Sequence, residues 1–146
     1  MNKEFEFISY EQALALKELG FNEECLCYFN TSNKNLLLDL NNRTDNNDER
    51  WVSALLYQQA FRWFREKYNI NGEITWDPSY EYDPGKWSDA IYSITIVDIS
   101  YTKEWKAESP NMQRGKGRQL TYEDAQSACI DKLIEIVKNK ENEYKI

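Results

Sequence analysis

The sharpest chemical feature of this sequence is a short basic run, Arg114-Gly115-Lys116-Gly117-Arg118, with three cations in five residues. Arginine and lysine form charge-assisted hydrogen bonds with anionic oxygens, and glycines allow backbone amides to approach a ligand closely. The run lacks the Gly-x4-Gly-Lys-Ser/Thr spacing of a P-loop. Two interpretations stay open: Arg114, Lys116 and Arg118 bind an anion, or they form a solvated connection before the last helix.

Two tryptophans and two arginines are further candidates for a binding surface. We expect Trp63 to lie off the apolar face of its helix and Trp51 to precede that helix, so both are predicted at a ligand or partner surface, where aromatic residues are enriched. Arg62 and Arg65 are three residues apart and can together bind a diphosphate or an acidic partner. The alternative is a solvated pair bridged to a neighbouring carboxylate, which adds little stability.

Three carboxylates, Asp77, Glu81 and Asp83, fall within seven residues. A glycoside-type hydrolase requires two carboxylates across a cleft. Here each aspartate precedes a proline, which is typical of turns. A carboxylate-dependent hydrolase is therefore only a third hypothesis, and no catalytic residue is predicted.

The absence of histidine excludes several classes of site. Ser-His-Asp and Cys-His catalysis, His-ligated zinc and His-based pH switches all require that residue. Cys25, Cys27 and Cys129 are too few to complete a thiolate zinc site and are predicted to pack in the core. We therefore expect no metal and no cofactor.

Charge and targeting signals favour an acidic protein of the cytoplasm. The 146 residues include 18 Lys+Arg and 25 Asp+Glu, a net charge of -7, which disfavours direct binding along a nucleic-acid backbone. The first residues, MNKEFEF, lack a basic start followed by an apolar run. No stretch approaches the roughly 18 apolar residues of a membrane-spanning helix. We predict a cytoplasmic protein with reduced thiols and no membrane contact.

Local signals predict three helices. The first begins with a capping box formed by Ser9 and Gln12 and ends at Gly20. The second spans residues 53–68 and has one aromatic face, and its predicted terminator is Asn69. The third begins at Thr121.

Strands are predicted between these helices. Residues 25–29 and 36–40 form a hairpin, followed later by strands at 72–76 and 88–100. Residues 101–106 either continue the last of these strands or return as its partner strand. We therefore predict a single α+β domain over residues 1–146, with an antiparallel sheet of four or five strands and the order α-β-β-α-β-β-α. Residues 139–146 are predicted to fray.

Three segments carry a family resemblance: the helical run at 56–68 (LYQQAFRWFREKY) and the capped helix starts SYEQA at 9–13 and TYEDA at 121–125. They resemble a family of small uncharacterised phage and prophage proteins of gut bacteria. No activity or site residue comes with the resemblance. It implies a phage accessory product in the host cytoplasm that acts on host physiology or host defence.

Our leading hypothesis is a non-enzymatic phage accessory protein. It binds a small anionic ligand, such as a nucleotide signal of host defence, through the basic run, Arg62, Arg65 and the two tryptophans. The alternative is an interaction protein whose acidic surface occupies a basic site on a host protein. A homo-oligomer is compatible with both, with Trp51 and Trp63 at its interface.

Overall fold

The computed structural model describes residues 6–38, 46, 48–77, 91–98, 104–107 and 122–143. Along the chain, the elements are α1 (Tyr10–Glu18), β1 (Cys27–Asn30), β2 (Leu36–Leu38), β3 (Trp51–Ala54), α2 (Tyr57–Tyr68), β4 (Ile70–Asp77), β5 (Ile91–Asp98), β6 (Glu104–Ala107) and α3 (Tyr122–Glu143). The α+β class and the three helices predicted from the sequence are confirmed.

The described strands form two antiparallel sheets rather than one sheet of four or five strands. The first sheet has the order β2-β1-β3 and the second the order β4-β5-β6. Backbone contacts divide the chain into two compact units, Met1–Ala60 and Phe61–Ile146, and the boundary falls within α2. The single domain predicted from the sequence stays a prediction.

In the first unit, α1 has the ends that the sequence predicts. The Gln12 amide donates to Ser9 Oγ at 3.1 Å, and the Ser9 amide donates to Gln12 Oε1 at 2.9 Å. Gly20 has a φ of 95°, and the next amide, of Phe21, donates to the Leu16 carbonyl at 2.9 Å. This arrangement is a Schellman motif, which requires a left-handed residue just after the helix. The helix packs against β3.

The first sheet includes a strand that the sequence analysis missed. Residues 53–56 are predicted to open the second helix, whereas Trp51–Ala54 pairs with β1 from Asn30↔Trp51 to Cys27↔Ala54. The helix begins only at Tyr57. Pairing with a strand distant in sequence decides the conformation here, because strand formation depends on cross-strand neighbours more than on local preference. The β1–β2 hairpin is confirmed, with Phe29 opposite Leu36.

In the second unit, α3 packs on β4 and β5. The buried side of α3 and the two strands form a core. The buried residues of this core include Ile70, Ile96, Ala125, Cys129, Ile130, Leu133 and Val137. Asn69 ends α2 with a φ of 56°, as predicted. The third helix extends to Glu143, so residues 139–143 are helical here. The predicted fraying of residues 139–146 stays a prediction.

No helix in the described part of the chain is long and apolar enough to cross a membrane.

Candidate functional site

The basic run lies outside the described residues. Arg114, Lys116 and Arg118 therefore have no structural description here, and neither do Glu81 and Asp83. Asp77 ends β4, where it pairs with Ile91. The anion-binding loop and the carboxylate-dependent hydrolase both stay predictions.

Trp63 is buried, which corrects its predicted position on the surface. Only 5% of the residue is exposed. Its ring packs edge-on against Phe64 at 5.2 Å and Tyr68 at 5.5 Å between centroids, and Lys67 Nζ lies 4.9 Å from its centroid. The helix buries a wider arc than the predicted aromatic face, since the adjacent residues Trp63 and Phe64 are both buried.

The two arginines of α2 lie one turn apart, as the sequence predicts. Arg62 is exposed and Arg65 is half-buried. The Arg65 carbonyl accepts a hydrogen bond from the Asn69 amide at 3.1 Å. The role of this pair in binding an anion stays a prediction.

The other predicted tryptophan belongs to an ordered cluster on the first sheet. The Trp51 ring packs against the edge of Tyr28 at 5.1 Å with an interplanar angle of 79°. The Arg50 guanidinium carbon lies 5.0 Å from the centroid of the Trp51 ring. Tyr28 pairs with Ser53, two residues from Trp51, so the two rings are diagonal neighbours on one face of the sheet. Tyr28, Arg50 and Trp51 are called the stack below.

Asp48 fixes the direction of the Arg50 side chain. Arg50 Nη2 donates to Asp48 Oδ2 at 2.7 Å, and Arg50 Nε lies 3.1 Å from Oδ1 and 3.2 Å from Oδ2. These hydrogen bonds hold the pKa of Asp48 well below its usual range and raise the pKa of Arg50. Because the Arg50 side chain is 74% exposed, the pair contributes little to stability. Its main effect is to orient the guanidinium.

The turn that carries Arg50 and Trp51, residues 48–51, is held by two other elements. From α1, Lys17 Nζ donates to the Asp48 carbonyl at 2.8 Å and to the Trp51 carbonyl at 2.9 Å. From the hairpin, the Thr31 amide donates to the Arg50 carbonyl at 3.1 Å. A turn held in this way is preorganised, so little conformational entropy is lost when a partner binds it.

Lys17, Thr31 and Asp48 are not among the site residues that the sequence predicts. Lys17 and Thr31 are 31 and 18 residues from their nearest partners in this turn. No local pattern links residues at such distances. The one available signal is Asp48-x-Arg50, whose opposite charges two residues apart can pair within a turn.

The stack has the composition of a protein-interaction site. Tyrosine, tryptophan and arginine are the residues most enriched among those that dominate binding energy at protein interfaces. Leu37 is directly opposite Tyr28 on the same face and is 38% exposed. The Arg50 guanidinium covers the Trp51 ring, so a planar base does not have that face free for stacking. The bonds to Asp48 use Nε and Nη2, and Nη1 can donate to an anionic group of a partner.

The three cysteines are free, and all of them are buried. Burial raises the pKa of the Cys25 and Cys129 thiols to about 12 each, and it also raises the pKa of Cys27. Cys25 Sγ donates to Gln59 Oε1 at 3.6 Å. The thiols are thus packed groups, as the sequence analysis expects. Among the described residues, no group of three or more Cys, Asp or Glu is arranged to hold a metal ion.

Comparisons with family models, curated proteins and solved structures give no match for this chain.

Proposed function

We propose that this chain is an interaction protein whose partner protein docks on the stack. This is the alternative of the two main hypotheses from the sequence. The observation that carries it is the exposed guanidinium of Arg50, held over Trp51 by Asp48 in a turn that Lys17 and Thr31 fix. A surface arginine normally samples many conformations, and ordering it costs entropy on binding. Here that cost has been met before the partner arrives.

Charge supports a partner with a basic region and at least one carboxylate. The net charge of -7 favours the approach of a basic protein. At the contact itself, Nη1 of the Arg50 guanidinium can donate to a carboxylate oxygen of the partner. The resemblance to phage and prophage proteins suggests that the partner is a host protein of the bacterial cytoplasm, and three free thiols fit a reducing compartment.

The experiment is affinity capture from a bacterial lysate with four forms of the purified protein: wild type, Arg50→Ala, Trp51→Ala and Arg62→Ala. Arg62 is an exposed arginine that does not belong to the stack, so Arg62→Ala is the matched control. We expect one protein to be captured by wild type and Arg62→Ala, and at least about tenfold less of it by the two stack variants. Thermal melting followed by circular dichroism verifies that each variant is folded.

Two results would contradict the proposal. One is equal capture by all four forms, which would place the contact elsewhere. The other is loss of capture with Arg62→Ala alone, which would favour the arginine pair of α2 instead.

The small-ligand hypothesis is supported by the three cations at 114–118. It is tested by isothermal titration calorimetry with a panel of linear and cyclic nucleotides. Binding that disappears when Arg114, Lys116 and Arg118 are replaced together by alanine supports it. No heat from any nucleotide with the wild-type protein excludes it for this ligand class.

A further inference from the structure

The outer strand of the first sheet, β2, exposes apolar side chains that are separate from the stack. β2 consists of three leucines, Leu36, Leu37 and Leu38, and among the described strands it lies at one edge of the β2-β1-β3 sheet. Leu38 is 65% exposed and Leu37 is 38% exposed. Natural edge strands usually carry lysine, proline or inward-pointing charges that prevent pairing with another chain. The described residues of this strand contain none of these.

The hairpin geometry shows which backbone groups point away from the sheet. The Asn30 amide donates to the Asn35 carbonyl at 3.0 Å, and Lys34, with a φ of 60°, donates to the Asn30 carbonyl. Asn30 therefore belongs to a hydrogen-bonded position of the ladder. Because such positions alternate, Leu37 bonds to β1, whereas Leu36 and Leu38 direct their amide and carbonyl groups to the outer edge.

We propose that this edge is a self-association site, at which β2 of a second copy pairs antiparallel to form a six-stranded sheet. In the two-fold arrangement, Leu37 lies opposite Leu37 of the second copy. Leu36 then lies opposite Leu38 of the other strand, and each such pair exchanges both of its backbone hydrogen bonds. The spacing of the two outward-directed residues is thus complementary to itself, which a two-fold interface requires.

The side chains favour the same occupant. On the core face, Ala54 of β3, Cys27 of β1 and Leu38 of β2 are cross-strand neighbours. Ala54 and Cys27 are buried, whereas Leu38 is exposed. A second β2 strand extends this apolar layer by placing Leu36 beside the exposed Leu38. The paired residues carry no charge, so the two acidic copies meet without like charges at the join.

The size of the patch determines the strength of the pairing. The exposed leucines offer at most a few hundred Å² of apolar surface, less than the roughly 800 Å² that each partner buries in a standard stable interface. The dimer is therefore weak and depends on concentration. This inference does not rest on the proposed function, because β2 pairing uses the edge of the sheet and not Arg50 or Trp51.

Sedimentation velocity from low micromolar to low millimolar concentration tests the proposal. We expect the wild-type molar mass to rise from monomer toward dimer. Leu37→Lys places two ammonium groups directly opposite each other and weakens dimerisation by about tenfold or more. The matched control is Leu14→Lys, because Leu14 is 36% exposed but lies on α1, and it leaves dimerisation unchanged. A wild-type protein that stays monomeric throughout, or equal weakening by the two variants, overturns the proposal.

Hydrogen exchange of the wild-type protein gives a second readout that needs no variant. The Leu37 amide, bonded to β1, is protected at every concentration. The Leu36 and Leu38 amides exchange fast in dilute solution and become protected as the dimer forms. A dimer in which these two amides still exchange fast has its contact elsewhere, and that result contradicts the proposal.

Discussion

The Arg50 side chain owes its position to its neighbours. Two carboxylate oxygens of Asp48 orient it, and the indole of Trp51 lies beneath it. A cation over an aromatic ring is attracted by the ring quadrupole, and tryptophan is the best partner for this contact. The stack therefore fixes a solvent-exposed side chain with high conformational freedom.

The pKa of Asp48 reports on this arrangement. The Arg50 hydrogen bonds favour the carboxylate, so the folded-state pKa is lower than the unfolded value of about 3.9. The stabilisation from this pair is complete above the unfolded pKa and is lost as the pH falls through the folded pKa. We expect an NMR titration of the Asp48 carboxyl to show this low pKa and Arg50→Ala to return it to the ordinary aspartate range. An unshifted Asp48 in the wild type would mean that the pair is not formed in solution.

Asn46 is a buried residue that stabilises the first unit. Its Nδ2 donates to the Phe21 carbonyl at 2.8 Å, and its Oδ1 accepts from the Ser53 amide at 3.0 Å. Removal of the side chain leaves two buried backbone groups without partners, each of which costs about 1–3 kcal/mol.

We expect Asn46→Ala to lower the free energy of unfolding in urea by about 2–3 kcal/mol. The control is Asn33→Ala, because Asn33 is exposed and its Oδ1 accepts a local hydrogen bond from the Asn35 amide. Its expected cost is about 0.5 kcal/mol. Equal costs for the two variants would show that the Asn46 bonds are not important for folding.

The cysteines are predicted to be unreactive in the native protein. Since burial raises their pKa values, with Cys25 and Cys129 at about 12, almost no thiolate is present at pH 8. We expect iodoacetamide to label none of them in the native protein and all three in urea, as measured by mass spectrometry. Because the thiol pKa values are higher in the folded than in the unfolded protein, the contribution of the cysteines to folding stability is constant below the unfolded pKa of about 8.5. It decreases as the pH rises toward 12. Rapid native labelling of Cys25 or Cys129 would contradict this account.

Among the elements, β4 and α3 approach each other closely at Gly72. A Cβ atom added at Gly72 would lie 2.8 Å from Cys129 Sγ and 3.2 Å from Leu133 Cδ1. Glycine at this position therefore allows the helix to approach the strand. Larger residues in a well-packed core force neighbouring groups to move.

We expect Gly72→Ala to destabilise the protein by about 1–3 kcal/mol. Part of this loss is recovered when Cys129→Ala is added, because the smaller side chain removes the clash, and a double-mutant cycle in urea measures the coupling. Gly20→Ala is the control: it is costly because of its φ of 95°, and its effect adds to that of Cys129→Ala without coupling. Purely additive behaviour of Gly72→Ala with Cys129→Ala would contradict the packing argument.

Local signals predicted the ends of the elements better than their pairing. The Ser9–Gln12 capping box, the turn at Gly20 and the stop at Asn69 each depend on residues within five positions, so the sequence reveals them. The strand Trp51–Ala54 depends on β1, more than twenty residues away, and its sequence also suits the start of a helix. For the same reason, the division of the strands into two sheets could not be read from strand patterns alone.

For the whole molecule, the sequence predicts one of the three residues of the stack, Trp51. Trp51 lies outside the helical apolar faces of the sequence, which predicts it at a surface, and it is in the stack. The same argument predicts Trp63 at a surface, but its ring is buried among Phe64 and Tyr68. Periodicity gives the direction of a face but not the width of the arc that tertiary packing covers. The position of Arg50 and the hydrogen bonds from Lys17 and Thr31 depend on contacts that only the folded chain creates.

We propose that the first sheet presents the stack as a prearranged contact for another protein. The most direct measurement is isothermal titration calorimetry of the partner identified by affinity capture, with wild type, Arg50→Ala and Arg62→Ala compared in the same buffer. We expect Arg50→Ala to weaken binding by at least about tenfold, equal to roughly 1.4 kcal/mol, and Arg62→Ala to have the wild-type affinity. Equal affinity of all three forms would contradict it.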